Sequence, residues 1–357
     1  SWRLRYAASG RADCHYILAT GRQDGNITIW QINNGFDGVA DRMTRVIFVC
    51  DIDHCTKTGN AEVGVGVTSM AYDEWTRGLY ACGGNRIRRY LFNGGEARVC
   101  YNFHLRWTAD LKARQIALSQ DGKFVVAACF ESSELLLLNA ESGDTTHLLD
   151  MKEYKFFKGA RPSSVALWAC HVSEEEDAEA SRKRDSVASA GLRVKQKHAL
   201  FFGDTNGEVW KIDDVKRIPK FPTPEFPPPP RLTLMDFQKF SCNSPLAVWQ
   251  VMPLQINERV KTSWCSRWCS RWCSRRSTAD GAQDGARQEV RSGILEGQGD
   301  PDYLIATCGN SAVNLFPMKK MTKMINRIAP WNLDGHSSAV TCIYSDCNFV
   351  YTGSFDK

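Results

Sequence analysis

The sequence predicts an all-β fold, and three observations predict it. One strand–turn–strand unit recurs along the chain. Its strands are short and rich in β-branched and aromatic residues, which is strand chemistry. The turns inside the units carry Gly, Asp, Asn and Ser, residues that tolerate the positive φ of tight hairpins. The copies read YILATGRQDGNITIWQI at 16–32, GLYACGGNRIRRYLF at 78–92, GKFVVAACFESSELLLLN at 122–139, ALFFGDTNGEVWKI at 199–212, YLIATCGNSAVNLF at 303–316 and NFVYTGSFDK at 348–357.

A further apolar run precedes most copies: 66–72, 114–119, 163–170, 246–252 and 339–345. An outer strand follows several, as in RVIFVCDI at 45–52. Four strands per unit at this rhythm is the pattern of a β-propeller, whose radial stacking leaves only short protected edges. A β-sandwich is the alternative architecture. The count of strands gives about five and a half four-stranded blades in a single domain over 1–357, truncated at its C-terminus. The chain also begins at Ser1 without a methionine, so a fragment or a processed start is expected.

Bulk composition agrees with a packed globular chain. Of 357 residues, 43% are apolar and 24% charged, near globular averages. No apolar stretch approaches the roughly 20 residues needed to span a bilayer, and no signal peptide opens the chain, so no membrane role is expected. Most of the fourteen cysteines sit in strand-like runs, among them Cys82, Cys129, Cys170, Cys308 and Cys342, where a free thiol serves as a small hydrophobe. That usage fits a reducing compartment, nucleus and/or cytoplasm. The net charge of +5 permits an acidic partner or nucleic acid and demands neither.

Three segments depart from the repeat. Residues 173–197 place a block of acid before basic residues with few apolar ones, and a disordered insertion is expected. Residues 257–301 form a second, low-complexity insertion containing SWCSRWCSRWCSRR. At helical spacing its Trp264, Trp268 and Trp272 would form one stripe. Interleaved Trp268, Trp272, Arg267 and Arg271 suit stacking on single-stranded nucleic acid. Cys265, Cys269 and Cys273 suit a metal less well, since zinc takes four ligands. Docking of the helix on a partner and a repeat expansion without a role complete the readings. The third segment, 218–230, contains FPTPEFPPPP and reads as a stiff polyproline connector.

Signs of chemistry are missing. There is no phosphate-binding loop, dinucleotide fingerprint or nucleophile elbow. The seven histidines are scattered, and the best metal-like cluster, DIDHC at 51–55, is explained by a polar loop between blades. The expectation is therefore a non-catalytic protein without cofactor, metal or small-molecule substrate.

The last copy, LDGHSSAVTCIYSDCNFVYTGSFDK, resembles the WD-repeat family, with its Gly335–His336, its Thr352–Gly353–Ser354 and its Asp356. A ring in that family usually has seven blades, so the intact protein is expected to have seven. The resemblance implies that His336 and Asp356 belong to a structural hydrogen-bonded set with a strand hydroxyl and a Trp. Asp24, Trp30 and Trp210 fit the same set in other copies.

Within that family, three stretches resemble the non-catalytic WD-repeat subunit of tRNA (guanine-N7-)-methyltransferase. They are ARQIALSQDGKFVVAACFESSELLLLN at 113–139, GARPSSVALW at 159–168 with FFGDTNGEVWKIDDVKRIP at 201–219, and residues 303–340. Where that family carries Asp-Arg-Asp-Glu, this chain reads Cys308–Gly309–Asn310–Ser311. The resemblance implies a scaffold that braces an S-adenosylmethionine-dependent methyltransferase and, through the complex, meets tRNA. It also implies that Lys158 and Arg161 pair with acidic groups on that partner. The other expectation is a general adaptor of trafficking, ciliary transport or ubiquitin ligation.

Overall fold

The computed structural model describes residues 2–6, 15–34, 44–54, 66–73, 76–93, 102–119, 121–172, 195–221, 232–254, 301–318, 330–333, 335–345 and 350–356. These residues form five four-stranded antiparallel sheets and one strand pair. The first sheet is β1 (Trp2–Tyr6), β2 (His15–Gly21), β3 (Asn26–Asn34) and β4 (Thr44–Asp53). The second is β5 (Val67–Asp73), β6 (Gly78–Gly83), β7 (Arg86–Asn93) and β8 (Asn102–Ala109). The third is β9 (Gln115–Leu118), β10 (Phe124–Cys129), β11 (Glu134–Asn139) and β12 (Thr145–Asp150).

The fourth sheet comprises β13 (Pro162–Val172), β14 (Lys195–Asp204), β15 (Glu208–Ile212) and β16 (Gln238–Ser241). The fifth comprises β17 (Val248–Leu254), β18 (Tyr303–Cys308), β19 (Val313–Pro317) and β20 (Trp331–Leu333), and β21 (Val340–Ser345) pairs with β22 (Val350–Ser354). Strands run in sequence order within every sheet, and consecutive sheets pack face to face, as β-propeller blades do.

The core is divided among the gaps between blades. In β10, Val125, Ala127 and Cys129 face the second blade, while Val126 and Ala128 face the fourth. In β14, Leu200 and Phe202 face the third blade, while Ala199 and Phe201 face the fifth. A strand buried on both faces needs no polar alternation, which is why FVVAAC and ELLLLN read as continuous apolar runs. Each large side chain so buried contributes about 1.5–3 kcal/mol from water exclusion alone.

Polar contacts lock the same gaps. The Ala140 carbonyl, just after β11, accepts from Tyr80 Oη (3.2 Å), Arg89 Nη1 (3.1 Å) and Trp107 Nε1 (3.1 Å), all on the second blade. Burial pushes the Tyr80 hydroxyl up to about 12, so it stays a donor.

Several expectations are refined. β1 and β16 went unread in the sequence: β16 (QKFS) is short and lacks apolar alternation, whereas β1 (WRLRY) does alternate but spans only five residues ahead of the first repeat copy. β14 begins at Lys195 and pairs back to Val172, so the last three residues of the insertion expected at 173–197 are strand. The rest of that insertion, and residues 257–300 with Trp268, Trp272, Arg267 and Arg271, lie outside the described residues. Residues 218–221 of the proline segment do more than connect. They run along the outer edge of the third blade, where Leu148 N donates to Pro219 O (2.9 Å) and Phe221 N to Thr146 O (2.8 Å). Cys82, Cys129 and Cys308 are buried free thiols, whereas Cys342 is exposed. Among these residues no helix is long and apolar enough to cross a membrane.

Candidate interaction face

Hydrogen-bonded sets fix the turns of the blades. In the last unit, His336 Nδ1 lies 3.1 Å from Asp356 Oδ1 and its Nε2 lies 2.7 Å from Thr352 Oγ1. Ser337 N donates to Asp356 Oδ2 at 2.6 Å. That amide is the main reason the Asp356 carboxyl is held down to about 2. In the fourth blade, Trp210 Nε1 donates to Asp204 Oδ2 at 2.9 Å, and Oδ1 of the same carboxylate accepts from Asn206 N (2.8 Å) and Glu208 N (3.0 Å). The first blade differs. Trp30 Nε1 donates to Thr20 Oγ1 at 2.9 Å, while Asp24 caps its own turn through Asn26 N (3.0 Å) and pairs with Arg22 (2.7 Å) on the surface.

Of the cluster at 51–55, Cys55 lies outside the described residues, and Asp51 and His54 take separate partners. Asp51 Oδ1 accepts from Thr28 Oγ1 at 2.6 Å, and His54 is fully buried against Tyr90, with Nδ1 3.0 Å from the hydroxyl. Burial, reinforced by Arg88, lowers His54 to about 4. Among the described residues no group of His, Cys, Asp and Glu is placed to hold a metal ion.

One face of the blades collects the second-to-third-strand turns and the lead-ins to the first strands. On it, the turn after β10 presents Phe130 between two guanidinium groups. Arg114, just before β9, lies 5.3 Å from the ring centroid, and Arg161, just before β13, lies 5.6 Å from it. Both distances are within cation–π range.

The backbone holds this clamp from three sides. Arg114 N donates to Ala128 O (2.8 Å), and Ser133 N to Cys129 O (3.0 Å) closes the turn that carries Phe130. Arg161 N donates to Thr205 Oγ1 (3.1 Å), while Thr205 N returns a bond to Arg161 O (3.0 Å). Lys158 stands three residues before Arg161 in a left-handed conformation (φ 52°) that ends the Lys155–Phe157 turn. The buried Phe157 anchors that turn, its ring 4.9 Å from Trp210 and 5.4 Å from Phe237. Arg114, Lys158 and Arg161 are exposed, and among the described residues no carboxylate pairs with them; the nearby Lys112 takes Glu131 at 3.0 Å.

The face continues onto the next blades. The Thr205–Gly207 turn abuts the 244–246 segment so closely that a Cβ on Gly207 (φ +78°) would collide with the Ser244 carbonyl. Beyond it, Leu246 and Phe355 are exposed, and Trp249 meets Phe355 edge to face at 6.2 Å between centroids. Arg114, Phe130, Leu246, Trp249 and Phe355 escaped the sequence reading. Their common signal is position in the repeat, since each precedes a first strand, starts one or sits in the turn after a second strand.

Fold and face together define an all-β chain of WD-repeat β-propeller architecture. The family profile described as "WD domain, G-beta repeat" matches residues 330–357, the unit holding His336 and Asp356. Among solved structures, the chain is similar to the RRP9 WD40 repeats at 9% identity and TM-score 0.38, over 78% of this chain and 53% of that one. It is similar to Raptor of Chaetomium thermophilum at 11% identity and TM-score 0.47, over 95% of this chain and 21% of that one. Sqt1 of the same organism matches at 10% identity and TM-score 0.48, over 94% of this chain and 77% of that one. The chain therefore spans about half the length of the first and a fifth of the second. A comparison with curated proteins gives no match.

Proposed function

We propose that this chain is a non-catalytic WD-repeat scaffold of the nucleus and/or cytoplasm that holds a protein partner. The partner proposed is an S-adenosylmethionine-dependent methyltransferase that forms N7-methylguanosine in tRNA. The observation that carries the reading is the Arg114–Phe130–Arg161 clamp. Of the two residues that the sequence resemblance points to, Arg161 is part of this clamp and Lys158 stands three residues before it, and among the described residues no carboxylate pairs with either. Guanidinium groups that pair with no carboxylate among the described residues, held on packed blades, are suited to carboxylates on a partner. Propeller blades of this kind serve generally as non-catalytic platforms, so the reaction would belong to the partner.

Affinity capture of the protein from its native cells, with mass spectrometry and RNA sequencing, tests the proposal. A stoichiometric methyltransferase with associated tRNA supports it. Coat, ciliary or ligase subunits without a methyltransferase would overturn the finer reading and leave the general adaptor. The exposed Leu246 and Phe355, with the half-buried Trp249 beside them, favour that second reading, because apolar anchors give salt-tolerant binding to proteins.

A further inference from the structure

We infer that this face takes an extended acidic peptide segment of the partner, with its carboxylates at the Arg114–Phe130–Arg161 clamp and an apolar anchor at Leu246, Trp249 and Phe355. The inference rests on the scaffold reading and adds the chemistry and the polarity of what docks.

Three features support it. The Arg114 and Arg161 guanidinium carbons lie 5.3 Å and 5.6 Å from the Phe130 ring centroid, a contact that limits the side-chain entropy lost when the two groups meet a carboxylate. Arg114, Lys158 and Arg161, which no carboxylate pairs with among the described residues, lie at the third and fourth blades. The apolar side chains lie on the fifth blade and the last unit. The ground between them is the polar Thr205–Gly207 turn and the 244–246 segment, which touch without an intervening gap. The ground is continuous, since Arg161 N donates to Thr205 Oγ1 at one end of the turn and Gly207 touches the Ser244 carbonyl at the other. A basic or uniformly apolar segment would leave the guanidinium groups unpaired as it desolvated them. Single-stranded RNA would satisfy them through phosphates, but the exposed aliphatic Leu246 adds nothing to base stacking.

The test is an array of synthetic 15-residue peptides of randomised composition, probed with the full chain. The expected result is at least tenfold enrichment of Asp and Glu in one half of the bound peptides and of Leu, Phe or Trp in the other. The double variant R114E/R161E should abolish the acidic enrichment and keep the apolar one. F130L, which keeps both charges but removes the platform, should weaken the acidic enrichment severalfold. K216E/K220E, on the outer rim, should change nothing. Basic or neutral bound peptides, acidic enrichment that survives R114E/R161E, or complete displacement of the peptides by a uridine 20-mer would each overturn the inference. These outcomes are distinct from failure of the scaffold reading, which would show as no retained protein partner in affinity capture from cells.

Discussion

Trp210 and Asp204 close the fourth blade's central hairpin: the indole N–H donates to the carboxylate at 2.9 Å, and both side chains are buried. The carboxylate carries a charge inside the protein, and burial raises its pKa despite three donors. Removing the indole donor while keeping a ring, Trp210→Phe, leaves that charge underpaired and should cost about 2 kcal/mol. Trp210→Ala adds a cavity and should cost about 4 kcal/mol. Urea unfolding measures both. A carboxyl raised by folding opposes stability above its folded pKa and ceases to do so below the unfolded value, near 3.8. Loss of the indole raises it further, so the Trp210→Phe deficit should be larger at pH 7 than at pH 4.

Asp356 behaves in the opposite sense. Its carboxyl is held to about 2, first by Ser337 N–H and then by side chains that include His336. A depressed carboxyl adds stability above its unfolded pKa of 3.8, and that stability is lost as pH falls through about 2. Thermal melts of the native chain should therefore lose Tm between pH 4 and 2. Asp356→Asn should start lower and show a flatter dependence across that window.

His54 is buried and neutral, with its pKa lowered from 6.5 to about 4 by burial and by Arg88. Its contribution is fully present above pH 6.5 and is lost as pH falls toward 4, because the unfolded chain takes up the proton first. His198, lowered by burial too, adds to the same trend. His54→Gln should remove up to one proton from the pH dependence of unfolding over pH 4–6.5, with little change if measured only above pH 7. Unfolding free energies on a pH series decide it.

Two glycines with the same backbone conformation should respond differently. Gly159 (φ +73°) has open space where a Cβ would go, so Gly159→Ala should cost about 1 kcal/mol of left-handed strain. Gly207 (φ +78°) faces the Ser244 carbonyl, so Gly207→Ala adds a backbone collision and should cost at least about 3 kcal/mol. Equal costs would mean that the fourth and fifth blades do not meet there.

Much of the fold was legible because each blade repeats a local grammar. QDG and TNG turns sit where Gly25 and Gly207 take positive φ, and the inner strands are continuous apolar runs because both their faces are buried. β16 was not legible, since a short outer strand such as QKFS owes its state to a neighbour rather than to its own pattern, whereas the alternation of WRLRY in β1 was within reach of the sequence. The site was legible only in part. Arg161 came from a resemblance and Trp210 from its place in the unit. Phe130 could not be matched to Arg114 and Arg161 without the ring, because the three residues come from two blades and meet only when these pack. The Asp204 partner of Trp210 lies six residues earlier in the same hairpin and was within reach of the sequence.

The most direct measurement is quantitative affinity capture from native cells with the wild-type chain and with R114E/R161E, both verified as folded by circular dichroism. A protein partner retained in stoichiometric amount by the wild type and reduced at least tenfold by the double variant is the predicted result. Equal retention by both chains would contradict the assignment of the Arg114–Phe130–Arg161 face, and no retained protein in either would contradict the scaffold itself.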